Sequence, residues 1–242
     1  MLTESSHVSP GQKRGPFPFR QGWRDLLFAH WPVSQQLVRD RLPPGLELDV
    51  WNGSAWVGVV PFRLVGLRPR WLPGLPTATD FLELNVRTYV RVDGVPGVYF
   101  FSLDASSGLA VRGARALFGL PYHRAQMRFA RDGEWVTYSC HREDSAAVFE
   151  ARYRPTGFEE TARPGSLEEF LVERYRLFTV TRGEVRRVEI DHAPWPLRTA
   201  EARIGVNTMA HASGIPLPDQ EPLVHFVTRQ DVLTGPPLPA RR

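Results

Sequence analysis

FLELNVRTYVRVDGVPGVYFFSLDA, residues 81–105, is the stretch whose reading sets the fold. In its first half Leu82, Leu84, Val86, Val90 and Val92 share one side of an extended chain, while Glu83, Asn85, Arg87, Tyr89 and Arg91 share the other. Asp93-Gly94, two residues that tolerate positive φ, then predicts a tight turn into a second strand over Gly97–Leu103. The polar side of the first strand lines the lumen in a closed barrel and faces water on a half-buried antiparallel strand; alternation alone favours water.

The same pattern extends outward. Upstream, Trp23–Trp31 is apolar on both sides and predicts a centrally buried strand, which Pro32 ends. Ser34 can cap a helix over Gln35–Arg41, stopped by Pro43-Pro44-Gly45, and Asn52-Gly53 predicts a hairpin between Leu46–Trp51 and Ser54–Val65. Leu67–Pro76, rich in proline, reads as a loop. Downstream, Ser107–Phe118 has helical spacing with Gly119 as its stop, and Asp132-Gly133 joins strands Tyr122–Ala130 and Glu134–His141. Ser166 and Glu169 form a capping-box pattern opening a helix to about Tyr175. Arg182-Gly183 turns between Arg176–Thr181 and Glu184–His192, Thr199–Ala212 reads as strand then helix, and Leu223–Thr228 as a last strand. The expected organisation is a flexible arm over 1–18, a single β-rich α+β domain over 19–235 and a tail over 236–242.

Composition narrows the chemistry. Of 242 residues 42% are apolar and 23% charged, which suits a folded globular domain. Among 30 basic residues only Lys13 is a lysine, so a buried side-chain amine would have to be Lys13. The net charge of +4 is spread among acids, as in Arg39-Asp40-Arg41 and Glu184-Val185-Arg186-Arg187-Val188-Glu189, so a nucleic-acid partner is not expected. Cys140 is the single cysteine, which excludes intrachain disulfides and points to a reducing cytoplasm. Met1–Gly15 is polar and no run approaches ~18 apolar residues, so neither secretion nor a membrane partner is expected. The sequence holds no Gly-x-x-x-x-Gly-Lys loop, no Gly-x-Gly-x-x-Gly turn, no His-Glu-x-x-His pair and no Gly-x-Ser-x-Gly elbow, so no cofactor and no metal are expected.

Glu83, the Asp93-Gly94 turn, Tyr99-Phe-Phe-Ser-Leu-Asp104 and Arg115-Ala-Leu-Phe-Gly-Leu-Pro121-Tyr-His-Arg-Ala together resemble the central segment of the acetoacetate decarboxylase superfamily. Trp23-Arg-Asp-Leu-Leu-Phe-Ala-His-Trp-Pro, Leu42-Pro-Pro-Gly-Leu-Glu and Gly97-Val-Tyr-Phe-Phe-Ser-Leu-Asp-Ala-Ser-Ser are similar to the YqjF-like bacterial family allied to it, over about residues 20–235. The resemblance implies a closed antiparallel β-barrel with a few flanking helices and a cavity inside, and it admits a homo-oligomer. It also implies a departure. Where that superfamily places a Schiff-base lysine and a second cation after the proline, this chain has Tyr122 and His123, and neither a phenol nor an imidazole forms an iminium. The superfamily's glutamate matches Glu83 and its helix arginine matches Arg115, whereas its N-terminal arginine falls near Pro32.

These residues define the candidates. Glu83, Tyr122 and His123 are the candidate proton-handling groups; Arg115, Arg87, Tyr99 and His30 are candidates for holding a ligand. Tyr122 and His123 are adjacent, so only one of them faces a lumen: motif position favours Tyr122, the apolar parity of Ala125, Met127 and Phe129 favours His123. Asp104 reads first as a turn or cap residue, and His211, His225 and Asn207 as hydrogen-bonded structural residues. Three functions remain open: a lumen that binds a small carbonyl or carboxylate compound without Schiff-base chemistry, a lysine-independent acid–base enzyme acting on such a compound, and a protein-interaction scaffold.

Overall fold

In the computed structural model, which describes residues 17–71 and 79–240, the run that is apolar on both sides forms the middle of strand β1 (Phe19–Val33). Its neighbours are β3 (Ala55–Pro69) and β12 (Leu223–Thr234), and β3 pairs onward with β4 (Phe81–Val92). Strands β1, β3 and β4 make a wall with core on both faces. Leu26, Phe28, Val60, Phe62, Phe81 and Tyr89 pack on one side; Leu27, Ala29, Val57, Val59, Leu84 and Val86 pack on the other. A strand buried on both faces needs apolar residues at consecutive positions, which is what Leu26-Leu27-Phe28-Ala29 supplies.

The remaining elements are α1 (Gln35–Arg39), β2 (Glu47–Leu48), β5 (Val95–Ala105), α2 (Gly108–Phe118), β6 (Tyr122–Asp132), β7 (Trp135–Arg142), β8 (Val148–Glu160), α3 (Leu167–Val172), β9 (Arg176–Thr181), β10 (Glu184–Asp191), β11 (Leu197–Asn207), α4 (Met209–Ala212) and β13 (Leu238–Pro239). These thirteen strands of the described residues belong to one sheet whose pairing returns on itself by two routes. From β4, β3, β1 and β12, one route runs through β10 and β9 to β5; the other runs through β11, β8, β7 and β6 to β5. The fold is thus strand-rich α+β with a ringed sheet. It is not purely antiparallel: β5 runs parallel to β6 and to β9. Helix α2 reverses the chain between β5 and β6, which is the kind of crossover a parallel pair requires. Ser107 caps α2 by accepting from Ala110 N (3.3 Å), and Gly119 ends it in the left-handed region (φ 62°).

Other expectations are revised. Asn52 and Gly53 do form a turn with both φ positive, but it closes only a Trp51–Ser54 bridge; β2 pairs with β4 instead of β3. The turns at Asp93-Gly94, Asp132-Gly133 and Arg182-Gly183 each join the strands expected. Helix α1 ends at Arg39 and makes no side-chain cap bond from Ser34, while α3 ends at Val172, where Glu173 leaves helical dihedrals. Strand β8 is not among the strands expected from the sequence, although Phe149, Ala151 and Tyr153 alternate inward with Glu150 and Arg152 outward; Pro155 and Gly157 obscure the run. Residues 1–16, with Lys13, and 72–78, within the expected loop Leu67–Pro76, lie outside the described residues; Phe17 is buried and Pro18 O accepts from Arg70 N (2.8 Å), so these two residues of the expected arm pack on the domain. At the other end Leu238 pairs with Arg187, so part of the expected tail belongs to the sheet. No helix of the described residues is long and apolar enough to cross a membrane.

The β5–β9 closure rests on a close approach at Gly97. A Cβ there would stand 2.6 Å from Phe178 Cε2 and 2.8 Å from the Arg176 carbonyl oxygen. Gly97→Ala is expected to cost about 1–3 kcal/mol in urea denaturation, the usual range for overpacking, whereas Gly133→Ala, with open space around its Cβ but positive φ, is expected to cost less. Equal losses would show that Gly97 is chosen for something other than this contact.

Candidate functional site

The smaller ring encloses a cavity of about 320 Å³, with α2 along one side. Its wall is contributed by Trp23, Leu26 and Phe28 of β1, Val60, Phe62 and Leu64 of β3, Phe100 and Leu103 of β5, and Ala110, Gly113, Ala114, Leu117 and Phe118 of α2. The polar groups stand mainly on β4: Glu83, Asn85 and Arg87, joined by Tyr122 at the start of β6. The polar side of β4 therefore faces the interior, not water. Alternation misleads here because the opposite, apolar side of the strand is also buried, against the second core.

Glu83 is 4% exposed and accepts a 2.9 Å hydrogen bond at Oε2 from the Tyr122 hydroxyl. Burial raises its carboxyl pKa to about 8; the Tyr122 bond opposes this and the nearby Asp104 charge adds to it. At neutral pH Glu83 is mostly a neutral acid. Burial, and then Glu83 itself, holds the Tyr122 phenol well above its ordinary value, so Tyr122 stays protonated. The backbone under Glu83 is fixed from the far side of the wall: the Tyr138 hydroxyl lies 2.8 Å from the Glu83 carbonyl oxygen and 3.1 Å from that of Phe62. Asp104, fully buried, accepts two bonds from Arg142, Nε to Oδ1 at 2.7 Å and Nη2 to Oδ2 at 2.9 Å. Asp104 is thus a buried ion-pair partner rather than a turn residue. Arg142 was absent from the sequence candidates because nothing local links it to residue 104; only the β5–β6–β7 pairing brings them together.

Arg87 is 6% exposed. Its Nη2 donates to the Leu171 carbonyl (2.9 Å), and its guanidinium lies 5.0 Å over the Phe28 ring and 5.8 Å over that of Tyr89. Among the described residues no carboxylate comes within ion-pair distance of it. Among those same residues its Nε and the Oδ1 of Asn85 have no hydrogen-bond partner. Behind it, the Tyr89 hydroxyl lies 2.9 Å from Leu171 O and 2.8 Å from His30 Nε2. Burial, followed by the charge of Arg87, keeps His30 well below its ordinary pKa, so the ring is neutral and shares its Nε2 hydrogen bond with the Tyr89 hydroxyl.

The structure brings Glu83, Tyr122 and Arg87 to one cavity and separates the other candidates from it. His123 points away and meets Asp144 (Nδ1 to Oδ2, 3.0 Å) at the surface, which settles the choice in favour of Tyr122. Arg115 is exposed and donates from Nε to the Tyr122 carbonyl (2.6 Å), touching neither Glu83 nor Asp104. Tyr99 lies on the outer side of β5, edge-on to Phe101. His30 is buried but stands behind Tyr89 and does not line the cavity. Asn85, which shares the inward face with Glu83 and Arg87, completes the polar set, and its place two residues from each was the signal for it. Among the described residues no three His, Cys, Asp or Glu side chains cluster as a metal site would require.

A family model described as DUF2071, uncharacterized conserved protein, matches residues 20–231. The chain belongs to this DUF2071 family. It is 49% identical over 223 residues to the uncharacterized protein YqjF of Bacillus subtilis, covering 92% of each. Among solved structures, this DUF2071 chain is similar to acetoacetate decarboxylase from Legionella pneumophila, with TM-score 0.65, 15% identity and 98% of each chain covered. It is also similar to the enduracididine biosynthesis enzyme MppR complexed with pyruvate, with TM-score 0.62, 14% identity and 98% and 93% of the two chains covered. At these identities the likeness is one of fold.

The neutral state of Glu83 has a measurable consequence. Its pKa is about 8 in the fold and about 4.5 in the unfolded chain, so between these values the native state binds the extra proton and stability falls as pH rises. The slope is at most about 1.4 kcal/mol per pH unit. Glu83→Gln, a neutral isostere, is expected to lose this term: thermal melts from pH 5 to 8 should show the variant gaining on the wild type as pH increases. A difference in Tm that stays constant across that range would mean that Glu83 is ionised in the fold.

Proposed function

We propose that this DUF2071 protein is a closed-barrel binding protein whose lumen takes a small organic carboxylate carrying a carbonyl oxygen. The observation that carries the reading is Arg87: a buried cation lining a hollow, mostly apolar cavity with no carboxylate of the described residues beside it. A buried charge without a partner is costly, and an anionic occupant would compensate it. The neutral acid of Glu83 supplies a donor for the occupant's carbonyl oxygen, and Asn85 stands on the same face of the strand between Glu83 and Arg87. A structural neighbour binding pyruvate, which carries both groups, supports the same ligand class. The hollow interior argues against a scaffold whose barrel is filled by its own side chains. The cytoplasm is the compartment we infer, where the buried thiol of Cys140 stays reduced.

A second reading, acid–base catalysis on the same class of compound, is favoured by the Glu83–Tyr122 pair. A carboxyl with a pKa of about 8 is suited to give and take a proton near neutral pH, and Tyr122 can stabilise its ionised form through the existing hydrogen bond. Neither reading uses an imine. The lone lysine of the sequence, Lys13, lies outside the described residues, and Tyr122 stands where the decarboxylase pattern has its lysine.

The test is thermal stabilisation by pyruvate and acetoacetate, with and without Arg87. Wild type should be stabilised by RT ln(1 + [L]/Kd), and Arg87→Met should weaken Kd about tenfold or more, the scale of a charged hydrogen-bonded contact. Stabilisation that is indifferent to Arg87→Met would remove the basis of the reading. Turnover of either compound, lost in Glu83→Gln, would select catalysis over binding alone. Borohydride added with acetoacetate is expected to leave the intact mass unchanged; a covalent adduct would restore Schiff-base chemistry.

A further inference from the structure

Resting on the carboxylate reading above, we propose that the occupant also carries a hydrocarbon tail, its carboxylate at Arg87 and its tail running past Glu83 towards the Phe19–Pro69 end of the cavity, so that three- and four-carbon oxo acids fill only the inner part of the site. Strand register orders the cavity in levels. His30, Gly58 and Arg87 share one level, Val60 and Asn85 the next, Phe62 and Glu83 the next; Trp23, Leu64 and Phe81 follow, and Phe19 and Pro69 lie furthest. Arg87 and Glu83 are four residues apart, about 13 Å along the strand before side-chain reach is subtracted, so the polar groups of β4 span only the inner part.

Beyond Glu83 the wall turns hydrocarbon: Leu64, Phe81, Leu109, Leu117 and Phe118. Leu109 and Leu117 are 71% and 62% exposed, and both line this cavity. The space between them exists because α2 presents Ala110, Gly113 and Ala114 there; an added Cβ on Gly113 would meet no atom within 4 Å. At the far end Gln21 is already bonded to Thr234 (3.0 Å), which leaves Arg68 as a second cation on the cavity wall. A short oxo acid would satisfy Arg87 and leave this apolar chamber empty. A tail fills it.

Tryptophan fluorescence, which Trp23 in the wall should report, can follow titration with acetate, butyrate, hexanoate, octanoate and decanoate, and with octanol as the uncharged control. Affinity is expected to rise roughly fourfold per methylene between butyrate and octanoate, the increment of hydrocarbon burial. Octanoate should bind more tightly than octanol, and Arg87→Met should abolish that difference. Gly113→Leu, which improves helix propensity and so keeps α2 folded, should flatten the chain-length series. Short acids that bind with no gain along the series would overturn the tail while leaving the carboxylate reading standing. Octanol binding as tightly as octanoate would overturn the carboxylate reading instead. A headgroup preference that disappears in Arg68→Met but survives Arg87→Met would reverse the orientation and refute the placement of the carboxylate at Arg87.

Discussion

The structure depends on a wall whose central stretch is packed on both faces. In their central parts strands β1, β3 and β4 have packed side chains on both faces, so each buried polar group there must find its partner inside the protein or remain without one. Thr88 donates to the Trp56 carbonyl (2.9 Å), Tyr138 reaches through to the Glu83 and Phe62 carbonyls, and Tyr122 bonds Glu83. Against that background two of the exceptions gain meaning. Among the described residues Arg87 lacks an anion and Asn85 Oδ1 lacks a donor, and both stand on the face of β4 that borders the interior space left open by the small ring.

Electrostatics and packing act together on Glu83. Its neutral state follows chiefly from desolvation, and the Asp104 charge behind it pushes in the same direction. That charge is itself held by Arg142, so the environment of the cavity acid is set by a pair reached through two further strands. A fold that places a mixed parallel and antiparallel sheet around β5 makes this convergence possible, because β5 touches β4, β6 and β9 at once.

Much of this was legible in the sequence. Hairpins at Asp93-Gly94, Asp132-Gly133 and Arg182-Gly183 and the α2 helix follow from local chemistry, since turn and cap residues act within a few positions. Glu83 and Arg87 could be placed on one face from alternation, but whether that face was wet could not, because a strand buried on both sides and a strand buried on one side can carry the same alternating letters. The Tyr122 or His123 ambiguity had the same origin. Arg142 with Asp104, and the separation of Tyr99 and Arg115 from the cavity, depend on which strands neighbour β5, and no short stretch of sequence carries that information.

Tyr138 ties two chambers that would otherwise vary independently. Its ring packs in the second core, beside Phe149, while its hydroxyl grips the carbonyls beneath Glu83 and Phe62. Any repacking of that distant core shifts the footing on which the cavity acid stands. Natural drift in one compartment is therefore constrained by the chemistry of the other, and an engineer who redesigns the filled half inherits an obligation to the hollow one.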